Sequence, residues 1–172
     1  MAHLRIAGIT RESVVDGPGI RVVVFAQGCP RHCRGCHNPD LIPREGGREM
    51  SAEELAEEIG KCISPLTRGV TFSGGDPLLQ AEGLEETIKL LRKKHPHIDI
   101  WLYSGYCFEE IQALPLLREA DVLVDGPFIE EEKDLTLPFR GSRNQRLIDL
   151  RQTFQRGEVV ELKWPPEVLP SR

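Results

Sequence analysis

Hydrophobic and polar positions along the chain form two kinds of segment. Short runs rich in β-branched residues predict strands, whereas apolar residues spaced three or four apart predict helices. Four strands, each buried on both faces, are predicted at residues 22–25, 70–72, 98–103 and 121–124. Between them, helices are predicted to begin at a Ser51–Glu54 capping box, to run from 76 to 94, and to run from 108 to about 114. Such alternation predicts right-handed crossovers and a mainly parallel sheet.

Chain length limits the architecture. The 172 residues fit a single domain, whereas a closed eightfold barrel needs about 250 residues. The predicted fold class is therefore α/β, an incomplete, open (βα) barrel of partial TIM type with mainly parallel strands. Its core is expected at about 16–150, and 151–172 is expected to be a C-terminal extension or tail. Ligands of such sheets bind beyond the carboxyl ends of the strands.

Composition excludes several classes of function. The chain has 22 Lys and Arg against 27 Asp and Glu, a net charge of −5, which argues against nucleic-acid and anionic-membrane partners. No uncharged run approaches the roughly 18 residues of a membrane span. The amino terminus lacks the pattern of a secretory signal, so a cytoplasmic location is expected. Cysteines in that reducing compartment are thiols or metal ligands.

Three of the five cysteines lie close together. Cys29, Cys33 and Cys36 are spaced as CxxxCxxC. Three thiolates on one short loop can hold three irons of a 4Fe-4S cube and leave the fourth iron open to a substrate. A Cys₃His zinc site with His37 is the alternative, although the adjacent Cys36 and His37 are poorly placed for two corners of one tetrahedron. A redox pair of Cys33 and Cys36 would leave Cys29 without a role.

Small and polar residues follow the next three predicted strands. Gly74 and Gly75 expose their backbone, and Asp76 either faces a ligand or caps the following helix. Ser104 and Asp125 end the next two strands, where a turn and a ligand contact are both open interpretations. These positions and the cysteine loop are expected to meet at one edge of the sheet.

Several motifs together resemble a known family. DGPGIR at 16–21, the cysteine loop at 28–38 and SGGDP at 73–77 resemble the radical S-adenosylmethionine (SAM) enzymes, specifically the activases of glycyl radical enzymes. VDGPF at 124–128 and FRGSRNQ at 139–145, in so short a chain, are similar to the activating proteins of anaerobic ribonucleoside-triphosphate reductase. The resemblance runs from about residue 16 to about residue 150.

The resemblance implies a site and assigns residues to it. The metal ligands it implies are Cys29, Cys33 and Cys36. The residues it implies for SAM are Gly74, Gly75 and Asp76 at the methionine ammonium, Gly35, Cys36 and His37 beside the adenine, Asn38 near the cluster, Ser104 at the ribose or carboxylate, and Asp125 at the methionine part. Gly35 departs from the aromatic residue that many radical SAM enzymes carry there, so backbone contacts are expected at this position.

The resemblance also implies a reaction and partners. One 4Fe-4S cluster and SAM would yield methionine and a 5′-deoxyadenosyl radical, which takes a hydrogen atom from a glycine of the large reductase subunit. No acid or base residue is expected to be catalytic. A low-potential electron donor such as flavodoxin or ferredoxin is implied. The alternatives are an activase of a formate-lyase type of glycyl radical enzyme, or a non-catalytic iron-sulfur electron-transfer or zinc-binding module.

Overall fold

A computed structural model describes residues 3–31 and 33–165. The strands are β1 His3–Ser13, β2 Ile20–Ala26, β3 Arg48–Ser51, β4 Thr67–Gly74, β5 Asp99–Tyr103, β6 Val122–Asp125 and β7 Arg146–Asp149. The helices are α1 Ala52–Cys62, α2 Ala81–Lys94, α3 Phe108–Ile111, α4 Leu116–Glu119 and α5 Leu150–Arg156. Short 3₁₀ turns lie at Pro39–Leu41, Pro77–Gln80 and Glu130–Glu132.

All seven strands belong to one sheet, in the order β3-β1-β2-β4-β5-β6-β7. The four predicted strands are its centre, β2, β4, β5 and β6, and they pair in parallel. The outer pairings, β3 with β1, β1 with β2 and β6 with β7, are antiparallel. Of the seven described strands, β2 to β6 therefore run in one direction and β1 and β7 run in the opposite direction, so the sheet is mostly parallel, as predicted. The connection at 14–19 between β1 and β2 is too short for the crossover that parallel pairing requires.

The helix starts follow the predicted caps, with one difference. The Ser51 hydroxyl accepts a hydrogen bond from the Glu54 amide at 3.1 Å and so begins α1. Asp76 caps the 3₁₀ turn Pro77–Gln80, and α2 begins only at Ala81. Sequence patterns rarely separate a 3₁₀ turn from the first turn of an α-helix, because both start with the same capping residues.

The third predicted helix is shorter than expected. It ends at Ile111 instead of about residue 114. The Leu114 amide donates to the Ile111 carbonyl, which tightens the chain into a turn, and Pro115 disfavours helical geometry in the residue before it. A separate turn of helix, α4, then starts at Leu116.

Apolar side chains cover both faces of the sheet. On one face, strand residues pack with those of α1 and α2, including Val22, Val70, Phe72, Leu55, Ile59, Leu84 and Ile88. On the other face, Trp101, Val122, Val124 and Leu147 form a smaller cluster that Phe139 and Trp164 partly cover. Alternate residues of one strand point to opposite faces, which is why Trp101 and its neighbour Leu102 belong to different clusters.

The segment after residue 150 is ordered where the structure describes it. Residues 150–156 form α5, which Gly157 ends with a φ of 72°. The chain then returns along the sheet, and the Trp164 ring packs on Phe139 at 5.2 Å between centroids. Residues 166–172 of the predicted tail lie outside the described residues. Among the helices that the structure describes, none has the length and apolar character needed to cross a bilayer.

A buried arginine joins the start of β2 to β4 and β5. Arg21 is 0% exposed, pairs with Asp99 and donates to the Thr71 hydroxyl at 2.8 Å. Burial lowers the pKa of its guanidinium, while Asp99 acts in the opposite direction. The charge of Arg21 therefore depends on its partner for compensation.

Asp99→Asn is expected to lower the free energy of unfolding by about 3 kcal/mol, because it leaves a buried guanidinium without its countercharge. Urea unfolding of the metal-free protein measures the change. Glu85→Gln is the matched control, since it removes the carboxylate of the exposed Lys89–Glu85 pair and should leave the unfolding midpoint unchanged. Equal effects of the two substitutions would contradict this role of the Arg21–Asp99 pair.

Candidate active site

A cavity of about 560 Å³ lies where β2, β4 and β5 end. Nine of the eleven residues predicted for the site line it: Cys29, Cys33, Cys36, His37, Asn38, Gly74, Gly75, Asp76 and Ser104. They come from segments far apart in sequence, and the parallel strands bring their carboxyl ends to one edge. The cysteine loop, the glycine turn and the end of β5 thus lie together at this edge, whereas Gly35 and Asp125 are not part of the lining.

Backbone hydrogen bonds hold the cysteine loop in place. The Cys29 amide donates to the Ile42 carbonyl at 3.0 Å, and the Gly28 amide donates to the Leu41 carbonyl at 2.7 Å. The Gly28 carbonyl in turn accepts from the Asp76 amide at 2.8 Å. The loop is therefore fixed both to the 3₁₀ turn that follows it and to the glycine turn at the end of β4.

The three thiols have the chemistry that an iron-sulfur cluster needs. Cys29, Cys33 and Cys36 are free and partly buried, and burial raises the pKa of the Cys29 thiol. Within residues 3–31 and 33–165, no three His, Cys, Asp or Glu side chains converge on a single metal ion. A 4Fe-4S cube places each cysteine on a different iron, so its ligands stand apart. Three separate thiols around one cavity fit such a cluster.

The glycine turn and the cysteine loop are in direct contact. Gly74 has a φ of 108°, and a Cβ there would meet the Ala26 backbone. A Cβ at Gly75 would overlap the carbonyl oxygen of Gly28. Only glycine allows the two backbones to approach so closely. The turn therefore presents backbone groups to the cavity beside the first cysteine.

Asp76 and Ser104 engage each other. The buried Asp76 carboxylate accepts from the Ser104 hydroxyl at 3.0 Å and from the Gly105 and Leu78 amides at 3.0 and 3.1 Å. Burial raises the pKa of this carboxyl group, and the hydrogen bonds oppose the rise. These contacts lock the end of β4 to the end of β5. Direct contact of either side chain with SAM stays a prediction.

Gly35 and Asp125 lie outside the cavity lining. Gly35 has a φ of 75°, and a Cβ there would come within 3.3 Å of the Phe128 ring. The Phe128 ring also packs on His37, at 5.0 Å between centroids. The residue before Cys36 is a glycine and has no aromatic ring. The Phe128 ring, which comes from a segment distant in sequence, lies beside this position instead.

Asp125 serves the structure of the sheet edge. Its carboxylate pairs with Arg146 at 2.6 Å and accepts from the Phe108 amide at 2.8 Å. Hydrogen bonds from Arg146 to Asp125 and Glu109 raise the pKa of the guanidinium further. The carboxylate therefore joins β6 to β7 and α3, and this geometry does not favour the predicted contact with the methionine part of SAM.

Sequence reasoning missed several cavity residues. They are Arg31, Tyr103, Phe128, Arg140 and Gln145. Arg31 lies within the cysteine loop, and its guanidinium stacks on the Tyr106 ring at 4.5 Å. Phe128, Arg140 and Gln145 belong to the VDGPF and FRGSRNQ motifs, which therefore contribute to the cavity wall.

An α/β sheet with three free thiols around a cavity at its strand ends fits a protein that holds one iron-sulfur cluster. The chain belongs to the family described as 4Fe-4S single cluster domain, whose sequence profile matches residues 15–148.

Several proteins similar to this chain are named as activating proteins or activating enzymes. The chain is 36% identical over 137 residues to the anaerobic ribonucleoside-triphosphate reductase-activating protein of Enterobacteria phage T4, covering 77% of this chain and 86% of that protein. The protein of the same name from Vibrio cholerae is 36% identical over 139 residues, covering 77% and 89%. The pyruvate formate-lyase-activating enzyme of Clostridium pasteurianum is 40% identical over 145 residues, covering 81% of this chain and 59% of that protein.

Proposed function

We propose that this protein is a radical SAM activase that cleaves SAM reductively and generates a glycyl radical on anaerobic ribonucleoside-triphosphate reductase. The observation that carries the proposal is the set of three free thiols, Cys29, Cys33 and Cys36, around one cavity beside the glycine turn. Relatives named as activating proteins of that reductase, matched over most of their length, support the target.

The protein's own residues hold and orient the reacting groups. The three thiolates would hold one 4Fe-4S cluster, and when bound, the cluster and SAM supply the one-electron chemistry that removes a hydrogen atom from a glycine Cα. Gly74, Gly75 and the Asp76 backbone would face the methionine ammonium. The cysteine loop from Gly35 through Cys36 and His37 to Asn38 would border the adenine, with Phe128 beside it, while Ser104 keeps the end of β5 in place. No acid or base residue is required.

The open sheet suits a protein substrate. We propose that the seven strands form an incomplete barrel of partial TIM type, as in the radical SAM core, whose open side lets a glycine loop of the large reductase subunit reach the cavity. The reaction consumes one electron for each SAM cleaved, and a low-potential flavodoxin or ferredoxin would supply it. A cytoplasmic location, where thiols stay reduced, would suit this function.

The test is anaerobic mixing of the iron-reconstituted protein with SAM, dithionite and the large reductase subunit from the same organism. A glycine-centred doublet in the electron paramagnetic resonance spectrum, together with released 5′-deoxyadenosine, is the expected result. Omission of SAM is the control. Release of no 5′-deoxyadenosine from a protein with a full cluster would overturn the proposal.

A second target has one specific observation in its favour. The 40% identity to the Clostridium pasteurianum activating enzyme favours a formate-lyase type of glycyl radical protein. The same mixing experiment with such a protein in place of the reductase separates the two targets. A doublet on the formate-lyase type of protein alone would reassign the target and leave the SAM chemistry intact.

A further inference from the structure

The FRGSRNQ segment at 139–145 forms a fixed loop at the cavity wall. The Gln145 side-chain oxygen accepts from the Gly141 and Ser142 amides at 2.9 and 3.2 Å, and its nitrogen donates to the Gly126 carbonyl at 3.0 Å. The buried Ser142 hydroxyl accepts from the Ile129 amide at 3.2 Å. These bonds tie the segment to the chain that leaves β6, so its side chains have defined positions.

Phe139 anchors the other end of the segment. Its φ is 59°, a left-handed conformation that is uncommon for a bulky residue. Its carbonyl accepts from the Tyr103 hydroxyl at 2.7 Å, and its ring packs edge-on against Trp101 and Trp164 at 5.3 and 5.2 Å. An unfavourable backbone conformation held by several contacts often marks a functional position. The residue so positioned is Arg140.

The Arg140 guanidinium has no anionic partner within the part of the chain that the structure describes. Arg140 lines the cavity, and its buried Nε has no hydrogen-bond partner among the described residues. Its one hydrogen bond to the described chain runs from Nη1 to the Gln145 carbonyl at 3.4 Å, and none of the described carboxylates forms an ion pair with it. Buried donors without acceptors are costly, so this arrangement favours a ligand that supplies an anionic acceptor.

Arg31, the other described arginine of the cavity wall, differs from Arg140 in its neighbours. The Nε of Arg31 is also buried without a hydrogen-bond partner, but its guanidinium stacks on Tyr106 and its charge acts on the Asp76 carboxylate. Arg31 thus already has both an aromatic and an acidic neighbour. Of the two described arginines that line the cavity, Arg140 is the one whose guanidinium is available to a ligand.

We propose that Arg140 binds the carboxylate of the methionine part of SAM. This inference rests on the proposed function and adds Arg140 to the residues that would bind SAM. A guanidinium matches a carboxylate through two parallel hydrogen bonds, and the carboxylate is the anionic group that SAM carries. Arg140 would then orient the amino-acid end of SAM, with the glycine turn at the ammonium.

The test compares two ligands on matched variants of the reconstituted protein. Equilibrium dialysis measures the affinity for SAM and for decarboxylated SAM, which lacks the carboxylate. Arg140→Gln is expected to weaken SAM binding about 10- to 100-fold, as the loss of a charge-assisted hydrogen-bonded pair predicts, and to leave the affinity for decarboxylated SAM unchanged. Arg140→Lys keeps the charge but loses the planar pair of donors, so its affinity for SAM is expected to lie between those of Arg140→Gln and the unsubstituted protein.

Arg143→Gln is the matched control, because Arg143 is an exposed arginine of the same loop and lies outside the cavity lining. It should bind both ligands as the unsubstituted protein does, and all variants should contain equal iron. Unchanged SAM affinity in Arg140→Gln, or an equal loss for both ligands, would overturn the inference. Normal SAM affinity with lost reductase activation would assign Arg140 to a carboxylate of the reductase instead. If the unsubstituted protein itself does not bind SAM, the proposed function fails independently of Arg140.

Discussion

Alanine at Cys29, Cys33 or Cys36 is expected to reduce bound iron from about four atoms per chain to a small fraction and to abolish 5′-deoxyadenosine formation. Each thiolate would hold a separate iron, so removal of any one of them leaves an iron without its protein ligand. Iron and sulfide analysis after anaerobic reconstitution, with the visible absorption of the cluster, gives the first measurement. Release of 5′-deoxyadenosine with dithionite gives the second.

The chain provides matched controls for these variants. Cys62 and Cys107 are also free and partly buried, but Cys62 donates to the Glu58 carbonyl within α1, and Cys107 precedes α3. Alanine at either position should leave the iron content and the activity unchanged. One tightly bound zinc per chain with no iron would contradict the cluster and support the zinc-binding alternative.

Local patterns in the sequence were sufficient to predict the four central strands of the sheet. The β-branched runs of β2, β4, β5 and β6 are buried on both faces, so their signal does not depend on any partner. The outer strands were not predicted, because their stability comes from pairing. In β3, only Met50 and Ser51 are buried, and in β1 full burial is confined to Leu4 and Ile6. Such segments become strands through the neighbours that they meet.

The candidate site likewise has a part that the sequence predicts and a part that depends on tertiary contacts. Motif spacing was enough to predict that the cysteine loop and the glycine turn would meet, because parallel strands end at one edge. The roles of other residues depend on contacts between distant segments. Asp125 pairs with Arg146, 21 positions away, and Arg140 reaches the cavity because Tyr103 and two tryptophans hold Phe139. The residue types of Asp125 and Arg140 do not by themselves predict these positions in the structure.

Gly75→Ala is expected to destabilise the metal-free protein by about 2 kcal/mol, the cost of forcing an additional methyl group into a packed site, and to impair both cluster and SAM binding. The new Cβ would collide with the carbonyl oxygens of Gly28 and Leu41, which would move the backbone that carries Cys29. Urea unfolding, iron content and equilibrium dialysis of SAM measure the three effects.

Gly8→Ala is the matched control for this steric argument, because a Cβ at Gly8 in β1 meets nothing within 4 Å. The same chemical change should therefore leave stability, iron content and SAM affinity as they are. Gly75 differs from Gly8 in what surrounds it, and Gly75 has no positive φ that would add backbone strain. Any selective loss in Gly75→Ala therefore measures the contact between the glycine turn and the cysteine loop. If Gly75→Ala behaved as Gly8→Ala does, the two segments would not be packed together, and the SAM site would have to be built without the turn.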